Sequence, residues 1–285
     1  MSAPAPASPL GVCYVLVNSF PTINVGKYTL EDGTPYFGVA IIFAANIDYD
    51  DQAQKAVLGF NANVQAILDD IDTQVRPLQQ QGIKVLLNVL GNHTQAGISN
   101  FADQAAASDF AAQCADAVEK YGLDGIDFDD EWVDYGGTLS DGTKIPPVNA
   151  YSFPYLVQAL RGLMPADKLI SLYYYGPATS TLQYGKINVG DLLNYSWNPF
   201  YGGTWGPPVI DGLAKSGIAG AGIAINPVGD NPPQTPQSAA VAVAQETLQD
   251  GYGLCMYYDL PNQDMSSYLN GISQALYGQD VRYSG

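Results

Sequence analysis

Positively charged residues are scarce in this 285-residue chain: Lys and Arg together number 11, against 28 Asp and Glu, for a formal net charge of −17. Such a charge repels phosphate backbones and anionic lipid headgroups, so we exclude nucleic acid and membrane surfaces as partners. Charged residues make up only 14% of the chain, whereas it contains 20 Tyr and 3 Trp. This composition favours a neutral polar partner, such as a carbohydrate.

Long apolar runs, cysteines and histidines are also few. The longest apolar run, residues 37–45, is far shorter than the roughly 18 residues of a membrane-spanning helix. Cys13, Cys114 and Cys255 are too widely spaced for a disulfide scaffold or a paired-cysteine metal motif, so we expect them to be small buried side chains. The only histidine is His93, which excludes a histidine-based metal site. We therefore expect no metal and no other cofactor.

The first ten residues lack the basic and apolar regions of a signal peptide and are rich in Ala, Pro and Ser. We interpret residues 1–10 as a flexible leader that remains after a signal has been removed from a secreted precursor. Residues 11–285 are then available to form one domain, because the chain has enough apolar residues for a single large core.

Short β-branched runs alternate with longer helical patterns along the chain. The predicted strands are Val12–Asn18, Val39–Asn46, Lys84–Leu90, Gly122–Phe128, Leu169–Tyr174, Tyr195–Trp197, Ala219–Ile225 and Leu254–Tyr258. The predicted helices are Asn61–Gln80, Asp103–Lys120, Ser152–Leu163, Pro208–Ser216, Pro236–Gln249 and Met265–Leu276. One strand every ~36 residues is typical of a single (β/α)₈ TIM barrel with its active site at the C-terminal mouth. The alternative, a doubly wound sheet, requires a glycine-rich loop after the first strand, and none is present.

The most informative segment is the acidic run from Asp124 to Glu131. Side chains alternate between the two faces of a strand, so Asp127, Asp129 and Glu131 share one face and the apolar residues between them lie on the other. Three carboxylates spaced ~6.6 Å apart repel one another, which should raise at least one pKa. A carboxyl group with a raised pKa can act as a general acid near neutral pH.

Two structural interpretations compete with this catalytic one. A solvated acidic loop does not explain why the acids lie inside a strand flanked by Ile126 and Phe128. A calcium site of the EF-hand type requires a twelve-residue loop with Gly at the sixth position and Glu at the twelfth, which is absent. We therefore favour a catalytic role.

The run Asp124-Gly125-Ile126-Asp127-Phe128-Asp129-Asp130-Glu131 resembles the DGxDxDxE signature of glycoside hydrolase family 18. This family comprises chitinases and endo-β-N-acetylglucosaminidases on (β/α)₈ barrels. The chain is similar to the endo-β-N-acetylglucosaminidases in particular, and the similarity is carried in order by residues 24–30, 42–47, 76–87, 90–93 and 197–201. It extends from about Val12 to the last strand.

The resemblance implies hydrolysis of the β-1,4 bond in the N,N′-diacetylchitobiose core of high-mannose or hybrid N-glycans on glycoproteins. It also implies a retaining, substrate-assisted mechanism through an oxazolinium ion. In that mechanism Glu131 is the general acid and base, Asp129 orients the 2-acetamido group, and Asp127 shares a proton with Asp129. Tyr173, at the end of the fifth strand, would help to hold the acetamido group, although a role as a core aromatic residue is an open alternative.

The resemblance also implies a set of sugar-binding residues at the ends of the strands. These candidates are Asn46, Asn88, Trp197, Asn198, Tyr201 and Tyr258. The expected partners are N-glycans of glycoproteins, and the enzyme is expected to act as a secreted monomer.

Three alternatives stay open at this point. A chitinase would carry the same signature, and a catalytically silent carbohydrate-binding or storage barrel would share the fold. The residues alone also leave room for a carboxylate nucleophile on another strand, for which the candidates are Asp48, Asp191 and Asp259.

Overall fold

The computed structural model describes residues 8–201, 206–229 and 232–285, and within these ranges eight parallel strands form a nearly closed barrel. The strands are β1 (Leu10–Leu16), β2 (Phe37–Asp50), β3 (Lys84–Gly91), β4 (Gly125–Asp129), β5 (Leu169–Tyr173), β6 (Tyr195–Trp197), β7 (Ala219–Ala224) and β8 (Leu254–Tyr258). Their order around the barrel is β6-β5-β4-β3-β2-β1-β8-β7. A parallel bridge between Ser196 and Ile218 joins the two ends of this order. The predicted (β/α)₈ fold is confirmed.

The strands begin and end within a few residues of the predicted positions. Leu10, the last residue of the predicted leader, already belongs to β1 and its N–H donates to the Gly253 carbonyl. The rest of that leader, up to residue 7, lies outside the described residues. Strand β2 extends beyond its prediction because its second half pairs in antiparallel fashion with Lys55–Gly59.

The α-helices are α1 (Ala62–Asp69), α2 (Ile71–Gln74), α3 (Arg76–Gln80), α4 (Gln104–Tyr121), α5 (Ser152–Leu163), α6 (Gln237–Asp250) and α7 (Ser266–Tyr277). The prediction of one helix over Asn61–Gln80 is wrong, since three short helices occupy that stretch. Pro77 lacks an N–H and its ring would clash with the carbonyl four residues earlier in a continuous helix. In the described ranges, no helix is long and apolar enough to cross a membrane.

The predicted helix over Pro208–Ser216 is also wrong. Its described residues form turns, followed by a 3₁₀ helix at Lys215–Gly217. Gly212 adopts a φ of 87° within this stretch, a conformation that no right-handed helix contains. Within the described chain, β1, β5 and β6 are therefore followed by loops and 3₁₀ turns rather than by α-helices.

The two faces of β4 differ as the alternation predicts. Ile126 and Phe128 belong to the layer between the barrel and its helices, where the Phe128 ring lies 5.8 Å from that of Phe153 on α5. Asp127 and Asp129 face the barrel interior, where a second and smaller core is formed by residues that include Val12, Tyr14, Val39, Ile41, Leu86, Trp197 and Met256. The apolar interior thus fills the lower barrel, and the acids lie above it toward the mouth.

Candidate active site

Asp127 is fully buried and receives three side-chain hydrogen bonds. Tyr14 Oη and Asn88 Nδ2 donate to Oδ2 at 2.6 and 2.7 Å, and Ser171 Oγ donates to Oδ1 at 2.6 Å. Asn88 and Ser171 are the direct strand partners of Asp127 on β3 and β5, so the barrel register alone brings them together. Burial raises the pKa of Asp127 to about 6, against the lowering effect of the three donors.

Trp197 lies in the same network, at the end of β6. Its indole Nε1 donates to Tyr14 Oη at 2.7 Å, and Tyr14 in turn donates to Asp127. Trp197 is 0% exposed, so its ring does not present the open sugar-stacking face that the sequence suggested. The structure instead places this tryptophan beneath the mouth, where it fixes the direction of the Tyr14 hydroxyl.

Asp129 lies one step further toward the mouth and has a different environment. It is 3% exposed, and its Oδ1 is buried with no hydrogen-bond partner in the described chain. Burial is the main cause that raises the pKa of Asp129 well above its usual value, and the charges of Glu131, Asp127 and Asp130 raise it further. A buried carboxyl oxygen without a partner is costly for folding, and beside a second acid with a raised pKa it indicates a catalytic role.

Glu131 lies two residues beyond the end of β4 and is half-buried. Burial raises the pKa of Glu131 above its ordinary value, which favours the protonated form that a general acid requires. Because Glu131 and Asp129 lie close enough to interact, they titrate as a pair rather than independently. The predicted cluster of three acids at the barrel mouth is therefore assembled, although Glu131 lies just beyond the strand.

An aromatic wall surrounds the two upper acids. Tyr173 pairs with Asp129 in the β4–β5 register, and its hydroxyl lies 3.1 Å from that of Tyr201. The Tyr258 ring lies 6.0 Å from both the Tyr201 and Phe43 rings. Burial raises the pKa of Tyr258 to about 12, with further contributions from the charges of Asp259, Asp129 and Glu131, in that order. Three of the predicted residues, Tyr173, Tyr201 and Tyr258, thus come together around the carboxylates.

The three predicted asparagines have separate environments. Asn88 is fully buried beneath the mouth, where its Nδ2 donates to Asp127 and its Oδ1 has no hydrogen-bond partner among the described residues. Its contact with sugar stays a prediction. Asn46 donates to the backbone carbonyls of Leu90 and Gly91 at 3.4 and 3.3 Å, at the end of β3. Asn198 is 8% exposed, and its buried Oδ1 has no hydrogen-bond partner among the described residues. Asn198 therefore keeps a free acceptor beside β6.

The candidates for a carboxylate on another strand do not join the cluster. In the described chain, every acid that raises the Asp129 pKa comes from the same segment, residues 127–131. Asp48 accepts a hydrogen bond from Asn92, and the Asp259 carboxylate accepts from the Leu16 N–H at 2.9 Å. Asp191 is exposed on a 3₁₀ turn that precedes β6.

Trp132 and His93 form part of the rim next to Glu131. Trp132 is 55% exposed and adopts a φ of 62°, and its carbonyl accepts a hydrogen bond from the His93 N–H at 2.8 Å. The two rings meet edge to face at 5.5 Å. In the described ranges, no group of three or more His, Cys, Asp or Glu side chains could hold a metal ion. The three cysteines are buried and free.

Four residues of the site were not predicted from the sequence: Tyr14, Phe43, Asp130 and Ser171. The signal for two of them was available, since Ser171 has the same parity as Tyr173 on β5 and therefore faces inward. Tyr14 could have been identified by the same argument as the single polar side chain of an otherwise apolar β1. The Asp130 contacts join loops that are distant in sequence, and no local pattern indicates them.

Comparisons with known proteins agree with this geometry. A profile of glycosyl hydrolases family 18 matches residues 14–195. The chain is 49% identical over 282 residues to an endo-beta-N-acetylglucosaminidase of Flavobacterium sp. (strain SK1022), covering 99% of this chain and 85% of the relative. It is 31% identical to endo-beta-N-acetylglucosaminidase F1 of Elizabethkingia meningoseptica, covering 94% of this chain and 78% of the relative.

A solved structure is also similar. EndoBT-3987 of Bacteroides thetaiotamicron, determined with Man5GlcNAc product, superposes with a TM-score of 0.82 at 26% identity. The match covers 97% of this chain, which spans 62% of the length of that protein chain. A second structure of EndoBT-3987, in complex with Man9GlcNAc2Asn substrate, gives the same TM-score at 25% identity.

The barrel and the carboxylate cluster together define a glycoside hydrolase, in which the acids of the site come from β4 and the two residues that follow it. With the profile match and the relatives, the chain belongs to glycosyl hydrolases family 18.

Proposed function

We propose that this enzyme hydrolyses the β-1,4 bond of the N,N′-diacetylchitobiose core of high-mannose and hybrid N-glycans on glycoproteins. Two relatives that it matches over nearly its whole length are endo-beta-N-acetylglucosaminidases. The similar EndoBT-3987 has been solved with Man5GlcNAc product and with Man9GlcNAc2Asn substrate. These names support the substrate class, and the site supports the chemistry.

The observation that carries the proposed mechanism is the unpartnered Oδ1 of Asp129 beside Glu131. A sugar seated at the mouth would direct its 2-acetamido N–H at the Asp129 carboxylate, and a rotation of that side chain would bring its buried, unpartnered Oδ1 within reach of the donor. The same contact would turn the acetamido carbonyl toward the anomeric carbon. The substrate thereby supplies its own nucleophile, in keeping with a described site whose acids all lie on one segment.

Glu131 would deliver the proton to the departing glycosidic oxygen. Its pKa, raised by burial, favours the protonated form that donates to the leaving group, and its partial exposure gives the leaving sugar a path to solvent. Attack by the acetamido oxygen breaks the glycosidic bond and forms an oxazolinium ion. Glu131, now ionised, would then take a proton from water as that water opens the ring, which regenerates the acid and retains the anomeric configuration.

Asp127 and Tyr173 would support the charged intermediate from two directions. Asp127 sits below Asp129 with a pKa of about 6, so a proton can be shared within the pair as positive charge develops on the sugar. The hydroxyl of Tyr173, held near that of Tyr201, is directed at the same space from β5. It would donate to the acetamido carbonyl.

Mass spectrometry of a native high-mannose glycoprotein tests this function. The enzyme should leave one N-acetylglucosamine on the asparagine and release a glycan that ends in the second. Glu131→Gln keeps the size of the side chain but removes the acid. It should lower the rate by about 10³-fold or more, which is within the range for loss of a general acid. Folding of this variant is checked by circular dichroism.

The chitinase alternative is tested beside it with chitin oligomers. Cleavage of the oligomers with an intact glycoprotein would assign the enzyme to chitinases. If neither substrate is cut, the site binds carbohydrate without hydrolysing it, and the proposed mechanism is wrong.

The location and assembly of the enzyme are part of the same proposal. N-glycoproteins are displayed outside cells, so an enzyme that removes their glycans would be secreted. We also propose that it acts as a monomer. Activity in the culture medium of an expressing strain and the mass from light scattering test these two points.

A further inference from the structure

Asp130 is a buried acid for which the proposed reaction has no use. It is 4% exposed and lies between Asp129 and Glu131, but its side chain is directed away from the barrel interior. Its Oδ2 accepts hydrogen bonds from Ser99 Oγ at 2.5 Å and from the Ala178 N–H at 2.7 Å. Its Oδ1 accepts from Tyr135 Oη at 2.5 Å.

The three donors come from three different loops at the barrel mouth. Ser99 lies between β3 and α4, Tyr135 lies beyond β4, and Ala178 belongs to the 3₁₀ turn Pro177–Ser180 after β5. The Ser99 N–H also donates to Tyr135 Oη at 3.3 Å, so two of the loops bond to each other as well as to Asp130. The Asp130 carboxylate therefore connects the loops that follow β3, β4 and β5, at the position directly before Glu131.

The backbone around Glu131 is enclosed on both sides by glycines. A Cβ at Gly91, the end of β3, would collide with the Glu131 carbonyl oxygen, and a Cβ at Gly176 would collide with that of Asp130. Gly176 also has a φ of 76°, which disfavours other residues. Main chain from β3 and from the β5 loop thus packs directly against the Asp130–Glu131 segment.

Glu131 itself has no side-chain hydrogen bond to another residue in the described part of the chain. Its carboxyl group is therefore oriented by its own backbone and by packing rather than by a partner. The direction of that backbone is set at Asp130, where the three hydrogen bonds converge.

We propose that Asp130 is a positioning residue for the general acid: it orients Glu131 toward the glycosidic oxygen by locking three mouth loops to the catalytic segment. This role rests on the proposed function of Glu131. Asp130 contacts neither the substrate nor the reacting atoms. Its effect reaches Glu131 through the main chain that joins the two residues.

The test compares Asp130→Ala with Asp130→Asn on two substrates that carry the same high-mannose glycan. In the first, the leaving group is the N-acetylglucosamine of a glycopeptide, and in the second it is an activated phenol. A phenolate departs with little help from an acid, so misplacement of Glu131 should matter only for the glycopeptide. A general loss of structure would slow both reactions equally.

For Asp130→Ala we expect kcat on the glycopeptide to fall about 100-fold with KM little changed, as for a misplacement of about 1 Å. The loss of kcat on the aryl glycoside should stay below about 5-fold, because a phenolate leaves without being protonated by the acid. Asp130→Asn should recover most of the rate, since the Asn oxygen can accept from Ser99 and Ala178 while its amide donates to Tyr135.

A second variant keeps the test valid if Asp130→Ala does not fold. The double substitution Ser99→Ala with Tyr135→Phe removes two of the three donors and leaves the carboxylate in place, and it should show the same dependence on the leaving group. Equal losses on both substrates, or no loss on the glycopeptide, would overturn the positioning role. Full activity of Glu131→Gln on the glycopeptide would instead overturn the proposed function, so the two failures are distinguishable.

Discussion

Asp127 and Asp129 lie two residues apart on one strand, both buried and both facing the barrel interior, yet the protein treats them differently. Asp127 receives hydrogen bonds from three neighbouring side chains, on β1, β3 and β5. Asp129, one step closer to the mouth, has a buried oxygen that accepts no hydrogen bond from any described residue. The lower acid is fully bound by the protein, whereas the upper acid is left for a ligand.

This difference separates a residue that supports the structure of the site, Asp127, from one that is proposed to contact the substrate, Asp129. Desolvating a carboxylate is costly, and the donors around Asp127 offset much of that cost. The desolvation cost of the Asp129 carboxyl group is not offset by hydrogen bonds in the free enzyme, as is common at catalytic sites. Four substitutions test the contrast, from the largest expected effect to the smallest.

Replacing Asp129 by Asn should damage catalysis far more than folding. The variant loses the charge that would balance the oxazolinium ion, so we expect kcat on a glycopeptide to fall about 10²–10³-fold. Its thermal stability should match or exceed that of the parent, because a buried unpaired acid has been removed. Single-turnover kinetics measures the rate of the chemical step, and a thermal melting curve measures the stability. An unstable but active variant would reverse the assignment of the two acids.

Replacing Asp127 by Asn should change the pH dependence of stability. The folded protein holds the Asp127 proton up to about pH 6, whereas the unfolded carboxyl group loses it near its ordinary value of 3.8. The unfolded state therefore binds fewer protons between these values, and the stability of the parent falls as pH rises through this window. The difference between a pKa of 3.8 in the unfolded chain and about 6 in the folded protein corresponds to roughly 3 kcal/mol of stability.

The Asn variant does not titrate, so it should be more stable than the parent above pH 6 and should lose this advantage below pH 4. Urea unfolding at pH 4 and pH 7 measures the difference. The same advantage at both pH values would mean that Asp127 does not carry the shifted pKa.

Replacing Ser171 by Ala removes one donor from Asp127 and tests whether the lower acid depends on its hydrogen bonds. We expect the free energy of unfolding at pH 7 to fall by about 1–2 kcal/mol, because the donor is lost to an ionised acceptor. The loss should shrink at pH 4, where Asp127 is protonated and accepts less strongly. Ser196→Ala is a matched control, since its buried hydroxyl donates to the Leu172 carbonyl and not to an acid.

Replacing Tyr173 by Phe is the mildest test and concerns the upper layer. It removes the hydroxyl that would donate to the acetamido carbonyl and keeps the ring, so kcat should fall about 10-fold and stability by less than about 1 kcal/mol. Steady-state kinetics on a glycopeptide measures the effect. An unchanged kcat would leave Tyr173 as a core aromatic residue.

The sequence predicted the barrel well because its strands are short apolar runs and because alternation on β4 decides which acids face inward. It failed where a role depends on contacts between distant segments. Asn88 lies beside Asp127 in the strand register, and Trp197 is buried with its indole N–H on Tyr14 instead of facing the solvent. The contacts of Asp130 were not predicted, since two of its three partners lie 31 and 48 residues away along the chain.

Helix boundaries failed for a local reason. The stretch from Asn61 to Gln80 has the apolar spacing of one helix, but the ring of Pro77 prevents continuity. The stretch from Pro208 to Ser216 has similar spacing in a region with Gly212 in a left-handed conformation. Pro77 accounts for the break between α2 and α3, and Gly212 for the absence of a helix in the second stretch.

The claim that Asp129 is reserved for the acetamido group is tested most directly by calorimetric titration with a thiazoline analogue of the oxazolinium ion that carries the high-mannose glycan. The parent should bind this analogue, Asp127→Asn should weaken it less than about 10-fold, and Asp129→Asn about 100-fold, near 3 kcal/mol. Equal affinity of the parent and the Asp129→Asn variant would contradict the account, because the free oxygen would then have no part in recognising the intermediate.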